Sequence, residues 1–279
     1  MKLDCIKYVD YIKLRIKKEK IYPNVTIISL SNDEASSIYL KNKEKLFKEL
    51  NFKYNIIKYD KKVKEIDIIN KINELNIDNN INGIIVQLPI YKHLNKDAII
   101  NSIEPIKDID GLTIINKGLL FNKTPMFIPC TAKGIMDLIN YYKISIKGKN
   151  VVILGRSELV GKPLYELMLQ KDATVTICHS KTKDITKYTK EADILISAIG
   201  KSKYIKIDMI KDNSILIDVG INKLNNKICG DIDYDNVINK CKLITKVPSG
   251  IGIVTTITLA SNLIKAYKIQ HKRKEKEYV

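Results

Sequence analysis

Short apolar runs alternate with longer amphipathic stretches along the first third of the chain. The runs are rich in β-branched residues and predict buried strands, whereas the stretches between them repeat apolar positions at the period of a helix. Strands that alternate with helices predict a parallel sheet, in which binding groups lie at the carboxyl ends of the strands. The predicted elements are a helix at 3–19, a strand at 25–30, a helix at 34–50, a strand at 52–59, a helix at 63–75 and a strand at 83–88.

The same alternation resumes at residue 151 and continues to a final helix. The chain between the two alternating regions is irregular, apart from helices predicted at 97–103 and 130–142. The sequence therefore predicts an α/β protein built from two units, with a boundary near residues 125–135. The elements predicted for the second unit are strands at 151–154, 173–177, 193–197, 214–218 and 243–244, helices at 159–171 and 255–267, and a short helix between the strands at 173–177 and 193–197.

Length and composition fit this interpretation. A chain of 279 residues can form two domains, and 45% hydrophobic with 28% charged residues is ordinary for a globular protein. No apolar run reaches membrane-spanning length, and the N-terminus lacks the apolar core of a signal peptide. The five cysteines form no C-x-x-C pair, which predicts free thiols in a reducing compartment and no metal site. We expect a cytoplasmic protein, or an organellar one if a leader precedes this sequence.

The net charge of +17 makes a nucleic-acid-binding protein an alternative interpretation of this sequence. The lysines are spread among Ile and Asn residues along the whole chain, without arginine-rich or aromatic clusters. Only residues 265–276 form a basic tail, which Glu275 and Glu277 dilute. We interpret the charge as a compositional bias on solvated faces and expect neither nucleic acid nor membrane as a partner. A basic field still favours anionic small substrates.

A glycine turn follows the strand at 151–154. Gly155 ends the strand and Gly161 opens the next helix, a layout that presents backbone N–H groups to an anion. Ser157 stands where a G-x-G-x-x-G pattern has its middle glycine, so the match is incomplete. An ordinary strand–helix turn is the alternative reading of this segment taken alone.

The end of the following strand predicts which dinucleotide binds. NAD-binding folds place Asp or Glu about 20 residues after the glycine turn, where it binds the ribose hydroxyls. Here the strand runs into His179, Ser180 and Lys181 without an acid. With Arg156 nearby, these groups suit a 2′-phosphate, and we predict NADP as the cofactor. For His179 alone, a loop histidine without a role is the simpler reading.

Polar residues of the first unit suggest a second site. Tyr39 and Lys43 lie four apart on a predicted helix and share a face, a pair that also arises by chance on a lysine-rich surface. Gln87 ends an apolar strand just before Leu88, where a buried amide needs a partner. Asp110 alone is an ordinary turn residue. Lys43, Gln87 and Asp110 could nevertheless converge on the mouth of one sheet.

Eight motifs in order identify the family that the chain resembles. It resembles the bifunctional methylenetetrahydrofolate dehydrogenase/methenyltetrahydrofolate cyclohydrolase (FolD-like) family over nearly its whole length. The eight together are specific, although any one of them is not. They are Ser36–Lys43 (SSIYLKNK), Ile85–Pro89 (IVQLP), Lys107–Gly111 (KDIDG), Pro129–Thr131 (PCT), Gly155–Pro163 (GRSELVGKP), Thr176–Ser180 (TICHS), Ile217–Asn222 (IDVGIN) and Gly230–Asp231 (GD).

The resemblance implies an enzyme of one-carbon metabolism, and through it of purine biosynthesis, with two activities. One oxidises 5,10-methylenetetrahydrofolate to 5,10-methenyltetrahydrofolate with NADP, and the other hydrolyses the product to 10-formyltetrahydrofolate. By similarity, Lys43 is the catalytic residue, Gln87 holds Lys43, and Tyr39 packs on the folate. Asp110 binds the pterin, and Leu88 lies beside the substrate.

The resemblance also implies how the chain is divided and where the cofactor binds. A folate-binding catalytic domain would comprise 1–128 with a returning helix at 255–279, and a Rossmann-type NADP domain 129–254, the two flanking a cleft. The family commonly forms homodimers. By similarity, the cofactor contacts are Gly155, Arg156, Ser157, His179, Ser180 and Ile221.

One loop departs from the family pattern. The family usually has Pro-Gly-Gly-Val-Gly-Pro-Met-Thr, whereas here Ser249 replaces a glycine and Ile253 replaces a proline. Glycine allows positive φ and proline stiffens a turn, so the dehydrogenase rate is the property in question. A cyclohydrolase with weakened dehydrogenase activity is therefore an alternative. More distant alternatives are a basic nucleic-acid-binding protein, against which the missing arginine and aromatic clusters argue, and a shikimate-type dehydrogenase. The latter does not account for Tyr39, Lys43, Gln87 and Asp110 together.

Overall fold

The computed structural model describes residues 2–225 and 227–277, without the side chains of 34, 35 and 273–277. The chain divides into two compact units. The N-unit combines Ile12–Ile128 with Thr256–Val279, and the C-unit combines Met1–Tyr11 with Pro129–Thr255. Each unit is built around its own parallel sheet. In the part of the chain that is described, no helix combines the length and apolarity needed to cross a bilayer.

The strands and helices are numbered in chain order. The strands are β1 Lys2–Leu3, β2 Asn24–Ser29, β3 Lys53–Lys58, β4 Gly83–Gln87, β5 Asn150–Leu154, β6 Thr174–Cys178, β7 Ile194–Ser197, β8 Ile215–Asp218, β9 Asn222–Leu224, β10 Lys227–Cys229 and β11 Leu243–Thr245. The helices are α1 Cys5–Glu19, α2 Glu34–Glu49, α3 Glu65–Ile77, α4 Lys96–Asn101, α5 Ile114–Phe121, α6 Cys130–Tyr141, α7 Gly161–Leu169, α8 Thr186–Thr189, α9 Tyr234–Val237 and α10 Ile251–Glu277.

The N-unit holds a three-stranded parallel sheet in the order β3-β2-β4. The register aligns the ends of the strands, since Ser29 lies opposite both Lys58 and Gln87. Strand β4 reads Gly-Ile-Ile-Val-Gln and is buried throughout, as expected for a strand covered on both faces. The sheet therefore presents its three carboxyl ends at one level, and α2 begins just after the central strand.

The C-unit holds a six-stranded parallel sheet in the order β1-β11-β8-β7-β5-β6. From β5 the chain crosses to β6 on one side, and the later strands add on the other side through β7. The connections that leave β5 and β7 therefore run in opposite directions, which opens a crevice at the carboxyl ends of these neighbouring strands. Doubly wound sheets bind their ligands at such a switch point.

The structure confirms the predicted α/β class and the strands and helices of both alternating regions, with shifts of a few residues at their ends, except that the last helix, predicted to end at residue 267, continues to Glu277. It adds elements that the sequence did not predict, namely the short helices α5 and α9 and the β9–β10 hairpin. It also adds β1, where Lys2 and Leu3 pair with β11 in parallel, so α1 starts at Cys5 instead of residue 3. A two-residue strand is specified by its distant partner, which local periodicity cannot reveal.

The division into units differs from the predicted one at the N-terminus. The resemblance implied a domain of residues 1–128, but Met1–Tyr11 groups with the C-unit. The pairing of Leu3 with Thr245 and the contact of Tyr142 Oη with Asp4 O at 3.0 Å account for this grouping. The last helix starts at Ile251, earlier than the predicted residue 255.

Candidate active site

Helix α2 delivers a lysine to the carboxyl end of the N-unit sheet. The helix is capped by Asp33, whose carboxylate accepts a hydrogen bond from Ser36 N at 2.7 Å. Lys43 lies in the interior of this helix, half-buried, and its Nζ donates to Gln87 Oε1 at 2.9 Å. The structure thus brings together the two residues that the sequence singled out for the catalytic site.

The amide of Gln87 is held at both ends. Gln87 is the last residue of β4 and is 7% exposed, so each polar atom of its side chain needs a partner. Its Nε2 donates to Leu88 O at 2.9 Å while its Oε1 accepts from Lys43. The bond to the Leu88 carbonyl fixes which end of the amide faces the lysine, so Gln87 presents Lys43 with an acceptor.

Tyr39 lies one helical turn before Lys43 on the same face of α2. The side chain is half-buried, and this burial raises the pKa of the Tyr39 hydroxyl above its usual value of 10.0. Loss of water disfavours the phenolate, so the hydroxyl stays protonated at neutral pH. Tyr39 therefore offers a ring face and a hydrogen-bond donor beside the lysine.

Two buried charged residues shape the turn that carries Asp110. Lys107 is 5% exposed, and its Nζ donates to Leu75 O and Asp78 O, both at 2.7 Å, at the end of α3. Asp108 is 1% exposed and lies opposite Ile84 in a parallel bridge. The chain is thereby pinned alongside β4, with Asp110 two residues further toward the end of the strand that carries Gln87.

The carboxylate of Asp108 faces away from that strand and into the start of α5. It accepts hydrogen bonds from Thr113 N and Thr113 Oγ1, both at 2.8 Å, from Leu112 N at 3.1 Å and from Asn116 Nδ2 at 2.8 Å. Burial raises the pKa of Asp108 above its ordinary value, and these donors oppose the rise. Asp108 thus organises the turn, whereas Asp110 remains partly accessible.

The glycine turn of the C-unit lies at the switch point. Gly155 has φ +113°, and a Cβ there would lie 2.5 Å from Ala198 O, so only glycine fits. Gly161 opens α7, where a side chain would overlap Gly155 O. Between these glycines, Arg156 and Ser157 are exposed, and Ser157 Oγ accepts from Val160 N at 3.2 Å. The turn leaves its outer face open to a ligand.

The loop after β6 runs beside this turn. Gly155 N donates to Cys178 O at 2.8 Å, which ties the ends of β5 and β6 together. His179 Nδ1 accepts from Lys181 N at 3.2 Å, so the ring shapes its own turn. Ser180 is exposed and no acid occupies the end of the strand. Ile221, the remaining predicted contact, follows β8 and is 46% exposed although it is apolar.

Asp218 and Asp231 are two buried acids near these loops, and the sequence predicted no role for either of them. Asp231 is 0% exposed and accepts hydrogen bonds from the loop that follows β7, and Asp218, 3% exposed, accepts from the backbone around Asp231. Both lie in motifs that carried the family resemblance. In the sequence, Asp218 stands out only as an acid at the end of an apolar strand, and Asp231 only as an acid directly after a glycine. Neither pattern shows which loop the residue holds.

Within residues 2–225 and 227–277, no three or more His, Cys, Asp or Glu side chains group as metal ligands would. The five cysteines are free thiols, four of them buried. Burial raises the pKa of Cys5 to about 12, so this thiol stays protonated.

Fold and site together define the class. One unit has a parallel sheet with a glycine turn at its switch point, and the other is an α/β unit with a lysine at its sheet mouth; a chain with both has the parts of a dinucleotide-dependent enzyme. The chain belongs to the tetrahydrofolate dehydrogenase/cyclohydrolase family. The family's catalytic domain matches residues 6–110, and its NAD(P)-binding domain matches residues 129–271. The resemblance inferred from the eight motifs is confirmed.

Individual relatives agree over nearly the whole chain. The bifunctional protein FolD of Clostridium tetani is 48% identical over 259 residues, which cover 93% of each chain. The crystal structure of the bifunctional enzyme FolD from Campylobacter jejuni has a TM-score of 0.93 at 37% identity and covers 96% of this chain and 98% of that one. The Trypanosoma brucei dehydrogenase-cyclohydrolase, complexed with NADP cofactor and inhibitor, has a TM-score of 0.91 at 29% identity, with coverage of 96% and 97%.

The chain is thus a dehydrogenase/cyclohydrolase of one-carbon folate metabolism with an NADP-type cofactor domain, as the sequence predicted.

Proposed function

We propose that Lys43 serves both proton transfers when the chain hydrolyses 5,10-methenyltetrahydrofolate, the product of its NADP-dependent oxidation of 5,10-methylenetetrahydrofolate. The observation that carries this proposal is the 2.9 Å contact of Lys43 Nζ with Gln87 Oε1 at the carboxyl end of the sheet. Ligands of parallel α/β sheets bind outside these ends. The contact leaves the remaining hydrogen-bonding directions of the lysine available to substrate.

Opening of the methenyl ring by water requires a group that can accept and donate protons. The methenyl carbon is electrophilic, so hydrolysis needs an oriented water and a route for protons. The water oxygen bonds to this carbon and gives up one proton, which leaves a neutral hydroxyl adduct. The hydroxyl then loses its second proton as the carbonyl forms and one C–N bond of the bridge breaks, and the released nitrogen takes up a proton. One of the two water protons thus ends on nitrogen, and the other leaves to solvent. An amine beside the bridge can accept a proton from the oxygen and supply one to the nitrogen.

Gln87 is the positioning residue for this lysine. A lysine side chain has four rotatable carbon links, and an acceptor at a fixed place limits where its ammonium group lies. The bond from Gln87 Nε2 to Leu88 O prevents the amide from turning its donor toward the lysine. Gln87 therefore fixes the site that Lys43 occupies without itself exchanging a proton.

Tyr39 and Asp110 bind the folate in this proposal. The half-buried Tyr39 ring lies on the lysine's face of α2 and suits a flat heterocycle, whose stacking on aromatic rings is favourable. Asp110 lies on a turn held by Lys107 and Asp108, at the same end of the sheet. A carboxylate there accepts hydrogen bonds from the amino and N–H groups of a pterin.

The residues of the C-unit fit NADP. The close approach of the backbone at Gly155 and Gly161 makes room for a pyrophosphate at the start of α7. Arg156 and Ser180 are exposed at the ends of neighbouring strands and offer a cation and a hydroxyl to a 2′-phosphate. Bound there, NADP supplies the acceptor for the hydride that leaves the methylene carbon.

A homodimer formed through the C-unit completes the proposal. Leu224 and Ile228 of the β9–β10 hairpin are 42% and 49% exposed, and apolar surface of this kind is what a subunit contact covers. Sedimentation equilibrium measures the mass directly, and a monomer at micromolar concentration would contradict the dimer. Nucleic acid is not a partner in this proposal, and salt-sensitive DNA binding would count against it.

The test compares two lysines of the same helix. Lys43→Ala removes the proposed proton carrier, whereas Lys45→Ala changes an exposed lysine two residues away. We expect the first to lower the rate of methenyltetrahydrofolate hydrolysis by about a hundredfold or more, and the second to leave it nearly unchanged. Unchanged hydrolysis in Lys43→Ala would refute the assignment. Initial rates of methylenetetrahydrofolate oxidation with NADP and with NAD test the cofactor, and a strong preference for NAD would contradict it.

A second candidate is a cyclohydrolase whose dehydrogenase activity is weak. Ser249 lies at φ +71° in the loop where the family has glycine, so the backbone keeps a left-handed conformation that a serine side chain disfavours. This candidate predicts that methenyltetrahydrofolate is hydrolysed while no NADPH forms from methylenetetrahydrofolate. NADPH production at a rate comparable with hydrolysis would rule it out.

A further inference from the structure

We infer that Asp231 is a positioning residue for the dehydrogenase step, because its buried carboxylate holds two loops of the cofactor-binding unit, one that adjoins the glycine turn and one that carries Ile221, a predicted cofactor contact. The inference rests on the proposed function and names a residue that contacts neither substrate nor cofactor in that proposal. It draws only on contacts within the C-unit.

The carboxylate of Asp231 gathers donors from both loops. It is 0% exposed, so each of its oxygen atoms depends on protein partners. From the end of β7 it accepts Ser197 Oγ at 3.0 Å, and from the start of β9 it accepts Asn222 Nδ2 at 2.9 Å. The backbone of the loop after β7 adds three donors, which are Ile199 N at 2.8 Å, Gly200 N at 3.3 Å and Lys201 N at 2.9 Å.

The first of these loops adjoins the glycine turn. The residue between Ser197 and Ile199 is Ala198, whose carbonyl oxygen lies 2.5 Å from the position that a Cβ on Gly155 would take. Ala198 N also donates to Leu154 O at 2.9 Å. The position of the glycine turn therefore depends on the loop after β7, which Asp231 holds through hydrogen bonds.

The second loop carries Ile221. Its neighbours on both sides are anchored, since Asn222 donates to Asp231 and Gly220 N donates to Asp218 Oδ1 at 3.0 Å. Ile221 itself is 46% exposed, so an apolar side chain is presented to the outside of a rigidly held segment. Asp218 in turn accepts from Asp231 N at 3.0 Å and so fixes the backbone of the residue that organises both loops.

The contacts of Asp231 should matter for the dehydrogenase activity and not for the cyclohydrolase activity. Hydride transfer requires the nicotinamide carbon to be placed closely against the folate, and small displacements cost rate. Hydrolysis of methenyltetrahydrofolate uses Lys43 and needs no nicotinamide. Loosening the Asp231 contacts should therefore lower the dehydrogenase rate selectively, whereas general damage to the fold would lower both rates.

The experiment uses the full-length protein and two aspartates from one segment. Asp231→Asn removes the charge that holds the loops. Asp233→Asn changes another buried aspartate, whose oxygen accepts from Lys206 Nζ and Asn236 Nδ2, each at 2.9 Å, and not from residues 197–201 or Asn222, which Asp231 holds. We expect kcat of the dehydrogenase to fall about tenfold or more in Asp231→Asn, with hydrolysis within about twofold of wild type. Asp233→Asn should keep both rates within about twofold.

A milder variant covers the case in which Asp231→Asn does not fold. Asn222→Ala removes one of the donors to Asp231, next to Ile221, and leaves the others in place. We expect kcat for NADP reduction to fall about threefold or more while KM for NADP stays within about twofold, since the phosphate contacts are untouched. Equal loss of both activities in the variant that folds, or an unchanged dehydrogenase, would overturn the inference. A wild-type protein that lacks the dehydrogenase or cyclohydrolase reaction would instead overturn the proposed function, before any variant is compared.

Discussion

The carboxylate of Asp218 lies against the backbone of Gly230, in the space that any side chain at position 230 would need. Both residues are buried, and the ends of β8 and β10 meet at this contact. Asp218 Oδ2 accepts from Ile232 N at 2.9 Å in the same place, so the carboxylate cannot retreat without losing a hydrogen bond. The glycine before Asp231 is thus required by packing.

Gly230→Ala should destabilise the protein strongly. The added methyl group overlaps the Asp218 carboxylate, and overpacking of a buried site costs about 1–3 kcal/mol, with further loss from the displaced hydrogen bonds. Urea unfolding followed by circular dichroism measures the free energy of unfolding. Gly118→Ala is the control, since this helical position of α5 has open space around it. We expect that change to stabilise by about 0.5–1 kcal/mol, and equal effects of the two variants would contradict the packing argument.

The contribution of Asp218 to stability should fall as pH rises from acid to neutral. Burial raises the pKa of Asp218 from 3.8 to about 7, and the negative charge of Asp231 adds to the rise against three opposing backbone donors. Between these two values the folded protein keeps a proton that the unfolded chain has released. The stabilising contribution is therefore complete below pH 4 and is lost as pH rises through about 7.

The measurement is the free energy of unfolding at a series of pH values from 4 to 8. Asp218→Asn removes the titrating group, so the fall in stability between acid and neutral pH should be shallower in this variant, whatever its absolute stability. Parallel curves for the two proteins would show that Asp218 does not titrate in this range.

Gln87→Met should impair catalysis more than folding. Methionine fills a similar volume but offers Lys43 Nζ no good acceptor, so the lysine loses the partner 2.9 Å away. We expect cyclohydrolase kcat to fall by about 10- to 100-fold, with hydrophobic packing at the buried position largely retained. Stopped-flow or spectrophotometric decay of methenyltetrahydrofolate gives the rate. Gln87→Glu, which restores an acceptor at the same reach, should retain more activity than Gln87→Met; the reverse order would contradict the positioning role.

Ser249→Gly should stabilise the protein. Ser249 has φ +71° and is exposed, and the left-handed conformation costs a side-chain-bearing residue about 1–2 kcal/mol. Glycine relieves this cost but gains freedom in the unfolded chain, which leaves a net benefit of about 0.5–1 kcal/mol. Thermal unfolding reports the change. Ser249→Ala keeps the Cβ and should give no gain, so a similar shift in both variants would contradict the conformational explanation.

The sequence predicted most of what local pattern can determine. The apolar run of β4 and its closing Gln87 predicted a polar group at a sheet edge, and the Tyr39–Lys43 spacing predicted a shared helical face. The structure adds the distance between Lys43 and Gln87, which no spacing along the chain contains. It also shows that His179 shapes its own turn through the bond from Lys181 N, while its predicted cofactor contact remains a prediction.

What the sequence could not provide depends on pairings between distant segments. Asp231 gathers partners that lie up to 34 residues away in the chain, and its importance rests on complete burial. Asp108 similarly starts α5 from outside that helix, which explains why a segment read as irregular contains one. Neither burial nor partner choice follows from the residue type, since an acid after a glycine usually signals only a turn.

Strand β1 has a consequence for how the protein is synthesised and handled. Leu3 leaves the ribosome long before its partner Thr245. The six-stranded sheet therefore cannot close during translation until β11 has emerged. A fragment started at residue 129, where the family's NAD(P)-binding domain begins, would leave β11 as an unprotected edge. Such edges pair with other chains, so an isolated cofactor domain should be expressed with residues 1–11 restored through a linker.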